Sequence, residues 1–171
     1  MPLERMHGHR DRREPSLRGA PVTGPVLSRR VDRLVIHHSA SPRTATVEEI
    51  ARWHRKRGLQ GIGYHHVIGG DGVLRPGRAL ERTGAHALGY NVHSIGLCVV
   101  GDNTRPEHAW LDVQIEALLL YVHWFRTFFP RAEVLGHRDL PGASTLCPGL
   151  DVRRLLAQPL RAAARREEPA A

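Results

Sequence analysis

Three residues in this sequence combine side chains that bind a transition metal: His37 in VDRLVIHH, His137 in EVLGH, and Cys147 ten residues later in GHRDLPGASTLCPG. Two imidazoles and a thiolate form a borderline-soft donor set that suits Zn2+. Three protein ligands leave the fourth tetrahedral position open for water, the arrangement of a catalytic zinc site rather than a structural one. Twelve histidines in 171 residues make any single one unremarkable. The weight lies in placement, because several stand where a predicted strand gives way to a loop, and open α/β sheets carry their ligands at strand ends.

The elements that must position these residues can be read in order. VDRLVIHH is apolar and β-branched enough for a buried strand ending at its two histidines. Thr46 and Glu49 form a T-x-x-E capping box. Ile50, Trp53, His54 and Arg57 follow at helical spacing, and Gly58 is the stop. YHHVIGGDGVLRPG reads as a hairpin turning at Gly70-Asp71-Gly72. A loop rich in Gly and His, TGAHALGYNVH, leads to SIGLCVVGD, an apolar run suited to a central strand. From Leu111 to about Phe128 apolar residues recur at a period of 3.6, with Asp112 as the expected cap. EVLGH is a short strand, and DVRRLLAQPLRAAARR a last basic helix. The order strand, helix, hairpin, strand, helix, strand, helix predicts one α/β domain with helices flanking a central mixed β-sheet.

Four segments, IHHSAS, GYHHVIGGDG, GAHALGYNVHSIGLCVVGD and GHRDLPGASTLCPG, occur in the order found in the type-2 N-acetylmuramoyl-L-alanine amidases. From about Val31 to Leu156 the chain resembles that family, which includes short phage lysozyme-type amidases and animal peptidoglycan recognition proteins. The resemblance implies a zinc amidase fold and hydrolysis of the amide bond between N-acetylmuramic acid and L-alanine in peptidoglycan, as a phage endolysin or a bacterial wall-remodelling enzyme. The family's first zinc ligand is the His of an apolar-His-x-Ser/Thr motif, which falls on His37 in Ile36-His37-His38-Ser39. Adjacent strand residues face opposite ways, so only one of the two histidines reaches the metal. The second and third ligands fall on His137 and Cys147. The Tyr of the family's G-Y-H motif falls on Tyr64, implied to hydrogen-bond the developing oxyanion or orient the attacking water. Thr145, two before the ligand Cys, matches the Thr-type members and is implied to stabilise the same intermediate. The loop from His137 to Cys147 is longer than in the shortest phage enzymes. His86, and more weakly Asn91, resemble positions that meet substrate. His65 and His66 read as packing or as groups that orient a ligand. His54 reads as helix core and Cys98 as a buried inert thiol.

Charge and ends complete the sequence picture. Of the net charge of +8, residues 1–30 carry +4 and residues 151–171 carry +2, leaving a nearly neutral middle. Residues 1–30, rich in Arg, Pro and Gly, read as a flexible basic extension, residues 31–160 as the amidase domain and 161–171 as a flexible tail. The basic head predicts nonspecific contacts with anionic polymers or lipids. The longest apolar run, Ala117 to Val122, is far short of the roughly 20 residues that span a bilayer. The N-terminus lacks the apolar stretch of a secretory signal, so the expectation is a monomer that is cytoplasmic in the producing cell and reaches the wall after release. Two other classes compete. A peptidoglycan-binding module without zinc would typically lack the Cys ligand, which is present. A nucleic-acid-binding protein would need a basic stripe interleaved with aromatics, and aromatics make up only 5% of the chain.

Overall fold

The computed structural model describes residues 25 and 27–157. Its elements follow the expected order: β1 (Arg33–His38), α1 (Val47–Lys56), β2 (His66–Ile68), β3 (Leu74–Pro76), β4 (Ser94–Val99), α2 (Asp112–Phe128), β5 (Glu133–Gly136) and α3 (Val152–Ala157). The sheet runs β3-β2-β4-β1-β5, with β1 parallel to both β4 and β5, β2 parallel to β4, and β3 antiparallel. The central strands are covered on both faces, which is why SIGLCV in β4 is buried throughout and reads as a continuous apolar run.

Alternation along β1 divides the two layers. Leu34 and Ile36 enter the larger core with Leu118, Val122 and Phe125 of α2 and Val152 of α3. Val35 faces the other way, against Leu135 and Leu140. On that second side Ile50 of α1 packs on Val67, Cys98 and Val100. His37 therefore belongs to the α1 side of the sheet and His38 to the α2 side.

Local signals account for the element ends. The Thr46 hydroxyl accepts from Glu49 N while the Glu49 carboxylate accepts from Thr46 N, closing the capping box of α1. Gly58, at φ +85, ends that helix in a conformation that costs a Cβ-bearing residue. The cap of α2 differs from expectation. Asp112 is already inside the helix, where its charge complements the helix dipole. Leu111 holds the cap position, its N–H donating to Gln114 Oε1 at 3.1 Å. The fully buried Gln114 amide then donates to Val100 O at 2.7 Å and ties α2 to the end of β4. Residues 151–157 of the last predicted helix lie within the described residues, and Val152–Ala157 are helical.

Ordered contacts begin before Val31, earlier than the sequence boundary. Leu27 packs on the larger core, and the Arg29 guanidinium donates to the carbonyls of Leu80, Val92 and Ser94. A single arginine between Ser28 and Arg30 carries no periodic signal, so its role as a clamp on the 80–94 loop is invisible in sequence. The rest of the basic extension and the 161–171 tail lie outside the described residues. Among the described residues no helix is long and apolar enough to cross a membrane.

Candidate active site

Strand register brings the first two candidate ligands together. In the parallel pair β1/β5, Ile36 stands opposite Gly136, so the next residue of each strand, His37 and His137, comes side by side at the sheet's edge. Their ring centroids are 4.7 Å apart. The chain then leaves β5, turns through His137–Asp139, and returns so that Arg138 N donates to Cys147 O at 2.7 Å. That closure sets Cys147 beside His137. The Cys147 Sγ lies 3.6 Å from His37 Nδ1, and ligand atoms of His37, His137 and Cys147 all fall within 4.8 Å of one another.

The separation of Cys147 Sγ and His37 Nδ1 fits a tetrahedral ion. Bonds of about 2.0–2.1 Å to imidazole and 2.3 Å to thiolate subtend an N···S edge of about 3.6 Å. The electrostatics agree with the donor chemistry. Burial, reinforced by neighbouring His86 and His137, holds His37 well below the ordinary imidazole range, and burial likewise lowers His137, so both keep lone pairs free. Burial pushes the Cys147 thiol up to about 12, against a stabilising N–H from His38 at 3.3 Å. A thiolate here at neutral pH needs a cation to hold it.

Tyr64 and Thr145 flank this cluster. The Tyr64 ring lies between His37 and His54, with centroids 5.0 and 5.1 Å away. Burial, then the two cysteines, raises its phenol well above 10, so it is a neutral hydrogen-bond donor. Thr145 Oγ1 accepts from Cys147 N at 3.1 Å, which leaves its own hydrogen free to donate outward.

The remaining candidates are arranged differently. His86 is half-buried with Nδ1 3.0 Å from His37 Nε2 and Nε2 3.4 Å from Ser94 Oγ, so both ring nitrogens face protein groups. Asn91 Oδ1 accepts from His86 N and Ala87 N, leaving its Nδ2 to reach a ligand. His65 Nδ1 accepts from Gly96 N, so its Nε2 carries the hydrogen donated to Arg82 O; the nearby Arg29 guanidinium is a close approach rather than a partner. His66 bonds the Tyr121 hydroxyl on the far side of the sheet. His38 sits 3.4 Å from Asp102 on that same far side, away from the ligand cluster. Cys98, in register with His37, is fully buried.

His54 is the residue that sequence reasoning undervalued. It reads as helix core, yet its Nδ1 accepts from Gly63 N at 2.9 Å and its ring backs Tyr64. Helical spacing marks the buried face to which His54 belongs, but not the loop nine residues later that its ring anchors. Two surface hollows, of about 640 Å³ between the start of α1 and the β2–β3 turn and about 410 Å³ between that turn and α2, include none of the three ligand candidates.

Known proteins share this sequence pattern and fold. A family model described as N-acetylmuramoyl-L-alanine amidase matches residues 27–150. The endolysin of Enterobacteria phage K11 is 36% identical over 111 residues, covering 63% of this chain and 72% of that protein. The endolysin of Escherichia phage T7 is 31% identical over 128 residues, covering 72% and 83%. Among solved structures, the Ph2119 endolysin from the Thermus scotoductus MAT2119 bacteriophage Ph2119 superposes with a TM-score of 0.68 at 29% identity, covering 75% of this chain and 83% of that one. The match spans every element from β1 to the Cys147 loop, and the chain belongs to the N-acetylmuramoyl-L-alanine amidase family.

Proposed function

We propose that this amidase is zinc-dependent, with His37, His137 and Cys147 as ligands, and that it cuts peptidoglycan between N-acetylmuramic acid and L-alanine as an endolysin. The observation that carries the reading is the convergence of one thiol and two imidazoles from two distant segments, the end of β1 and residues 137–147, within 4.8 Å, beside Tyr64. Zinc held there supplies a Lewis acid for the amide carbonyl and a source of hydroxide at neutral pH.

The chain's own groups supply the rest. His37 and His137 stay neutral because they are buried, and so present lone pairs rather than protons. Tyr64 and Thr145 each keep an O–H to donate to the oxygen that gains charge as the carbonyl becomes tetrahedral. The free Nδ2 of Asn91 supports a substrate contact; His86, with both nitrogens engaged, offers only a carbon edge. The kinship with phage endolysins supports action on the cell wall.

Digestion of purified sacculi tests the bond assignment. Mass spectrometry should find stem peptides with a free L-alanine amino group and no new reducing sugar ends. New reducing ends without new amines would identify a glycosidase and end this reading.

A further inference from the structure

We propose that His86 is a positioning residue for the metal ligand His37, fixing the tautomer and plane of its ring through the bond from His37 Nε2 to His86 Nδ1. The inference rests on the zinc reading above and adds to it a role for a residue outside the ligand set.

The hydrogen bonds admit one consistent direction. A His37 ring that offers the Nδ1 lone pair toward Cys147 must carry its hydrogen on Nε2, and that hydrogen points at His86 Nδ1, 3.0 Å away. His86 Nδ1 then accepts, so the neutral His86 ring has its hydrogen on Nε2, facing Ser94 Oγ at 3.4 Å. The Ser94 hydroxyl passes its own hydrogen to Tyr90 O at 2.7 Å. Every donor in the chain is used once and the relay ends on a backbone carbonyl, which cannot reverse it. Reversing the His37 tautomer would take the Nδ1 lone pair away from the metal position and, with the His86 tautomer set by Ser94, leave two lone pairs facing each other at 3.0 Å.

The surroundings are built to hold this ring. A Cβ on Gly96 would stand 2.5 Å from His86 Cδ2, and one on Gly84 would stand equally close, so two glycines form the slot that the imidazole occupies. The Asn91 carboxamide pins the backbone at His86 and Ala87. Tyr90 donates its hydroxyl to Pro141 O at 3.0 Å, joining this loop to the segment that carries Cys147. A partner that fixes a ligand imidazole in this way is typically worth about 10–100-fold in metal affinity.

The test pairs two variants with the same branching of side-chain heavy atoms. His86→Asn keeps an acceptor near the Nδ1 position, whereas His86→Leu removes it. Zinc affinity is measured by competition with a chromogenic chelator, alongside the Tm of the metal-free proteins and kcat and KM on a soluble muropeptide. The expected result is a loss of about 10–100-fold in zinc affinity for His86→Leu, with recovery to within a few-fold in His86→Asn and a fall in kcat rather than a rise in KM. Equal affinity in parent and His86→Leu overturns the proposal, as does equal loss in both variants, which would mean packing alone. A rise in KM with unchanged zinc affinity also overturns it, since His86 would then act through substrate. If His86→Leu does not fold, nitrogen-15 NMR of the zinc-loaded parent decides: His86 should be protonated at Nε2 and His37 at Nε2, and a hydrogen on His86 Nδ1 refutes the relay. A parent that takes up no zinc removes the metal reading and this one together, whereas zinc uptake indifferent to His86 removes this one alone.

Discussion

His37 Nδ1 lies 3.6 Å from Cys147 Sγ, 110 residues further along the chain, and the same sulfur accepts the N–H of His38 at 3.3 Å. The sulfur thus sits at the end of β1 as though it were part of that strand. Its neighbours are an imidazole nitrogen and a backbone donor, and because burial pushes the thiol up to about 12, a thiolate at neutral pH needs a cation beside it.

Cys147→Ser should therefore empty the metal site and abolish amine release while the protein stays folded, because a neutral hydroxyl is a far poorer zinc ligand than a thiolate. Cys98→Ser should retain zinc and turnover, at a stability cost of about 1–3 kcal/mol from placing a hydroxyl in the apolar sheet interior. Zinc content, circular dichroism and amine release on both proteins check this. Zinc retained at one per chain in Cys147→Ser, with wild-type turnover, would show the ligand assignment to be wrong.

Tyr64→Phe should lower kcat by about 100- to 1000-fold, the usual loss when one donor to a developing oxyanion is removed. KM and zinc content should change little. Since burial raises the Tyr64 phenol well above 10, the parent's pH–rate profile should show no limb from its ionisation below pH 10. A Tyr64→Phe enzyme with unaltered kcat would remove Tyr64 from the chemistry.

Arg29→Ala should destabilise the fold by about 1–3 kcal/mol, because the carbonyls of Leu80, Val92 and Ser94 lose a charged donor. Truncation to residue 31 should be similarly costly, and truncation to residue 25 far less so. Thermal melts of the three proteins separate these outcomes; equal Tm values for both truncations would mean that the clamp contributes nothing.

Acid should destabilise the protein between about pH 6.5 and pH 4. Burial is the main cause that lowers His65 to about 4 in the fold, so in that window the unfolded chain binds the proton and the folded chain does not. Stability is then complete above the unfolded value and falls as pH drops through the folded one. At about 1.4 kcal/mol per pKa unit, His65 alone withdraws roughly 3 kcal/mol by pH 4. Denaturant midpoints that stay flat from pH 7 to pH 4.5 would contradict this.

Much of the protein is legible in its sequence because the signals are local. The Thr46/Glu49 box, the Gly70-Asp71-Gly72 turn and the apolar run SIGLCV each carry their own physics within a few residues, and each forms the element expected. Strand alternation alone places His37 and His38 on opposite faces, as they are found. The GAHALGYN and HRDLPGASTLCPG motifs carry part of the resemblance to the family. What only the tertiary structure decided depends on register and on contacts between distant segments. Ile36 pairs with Gly136, and that offset makes His37 and His137 neighbours; a slip of one residue would turn one of them to the other face. Arg29 reaches the 80–94 loop, and His86 meets His37 rather than open solvent, because the glycines at 84 and 96 leave room for its ring. No local pattern encodes those meetings, since each is fixed by how separately formed segments pack.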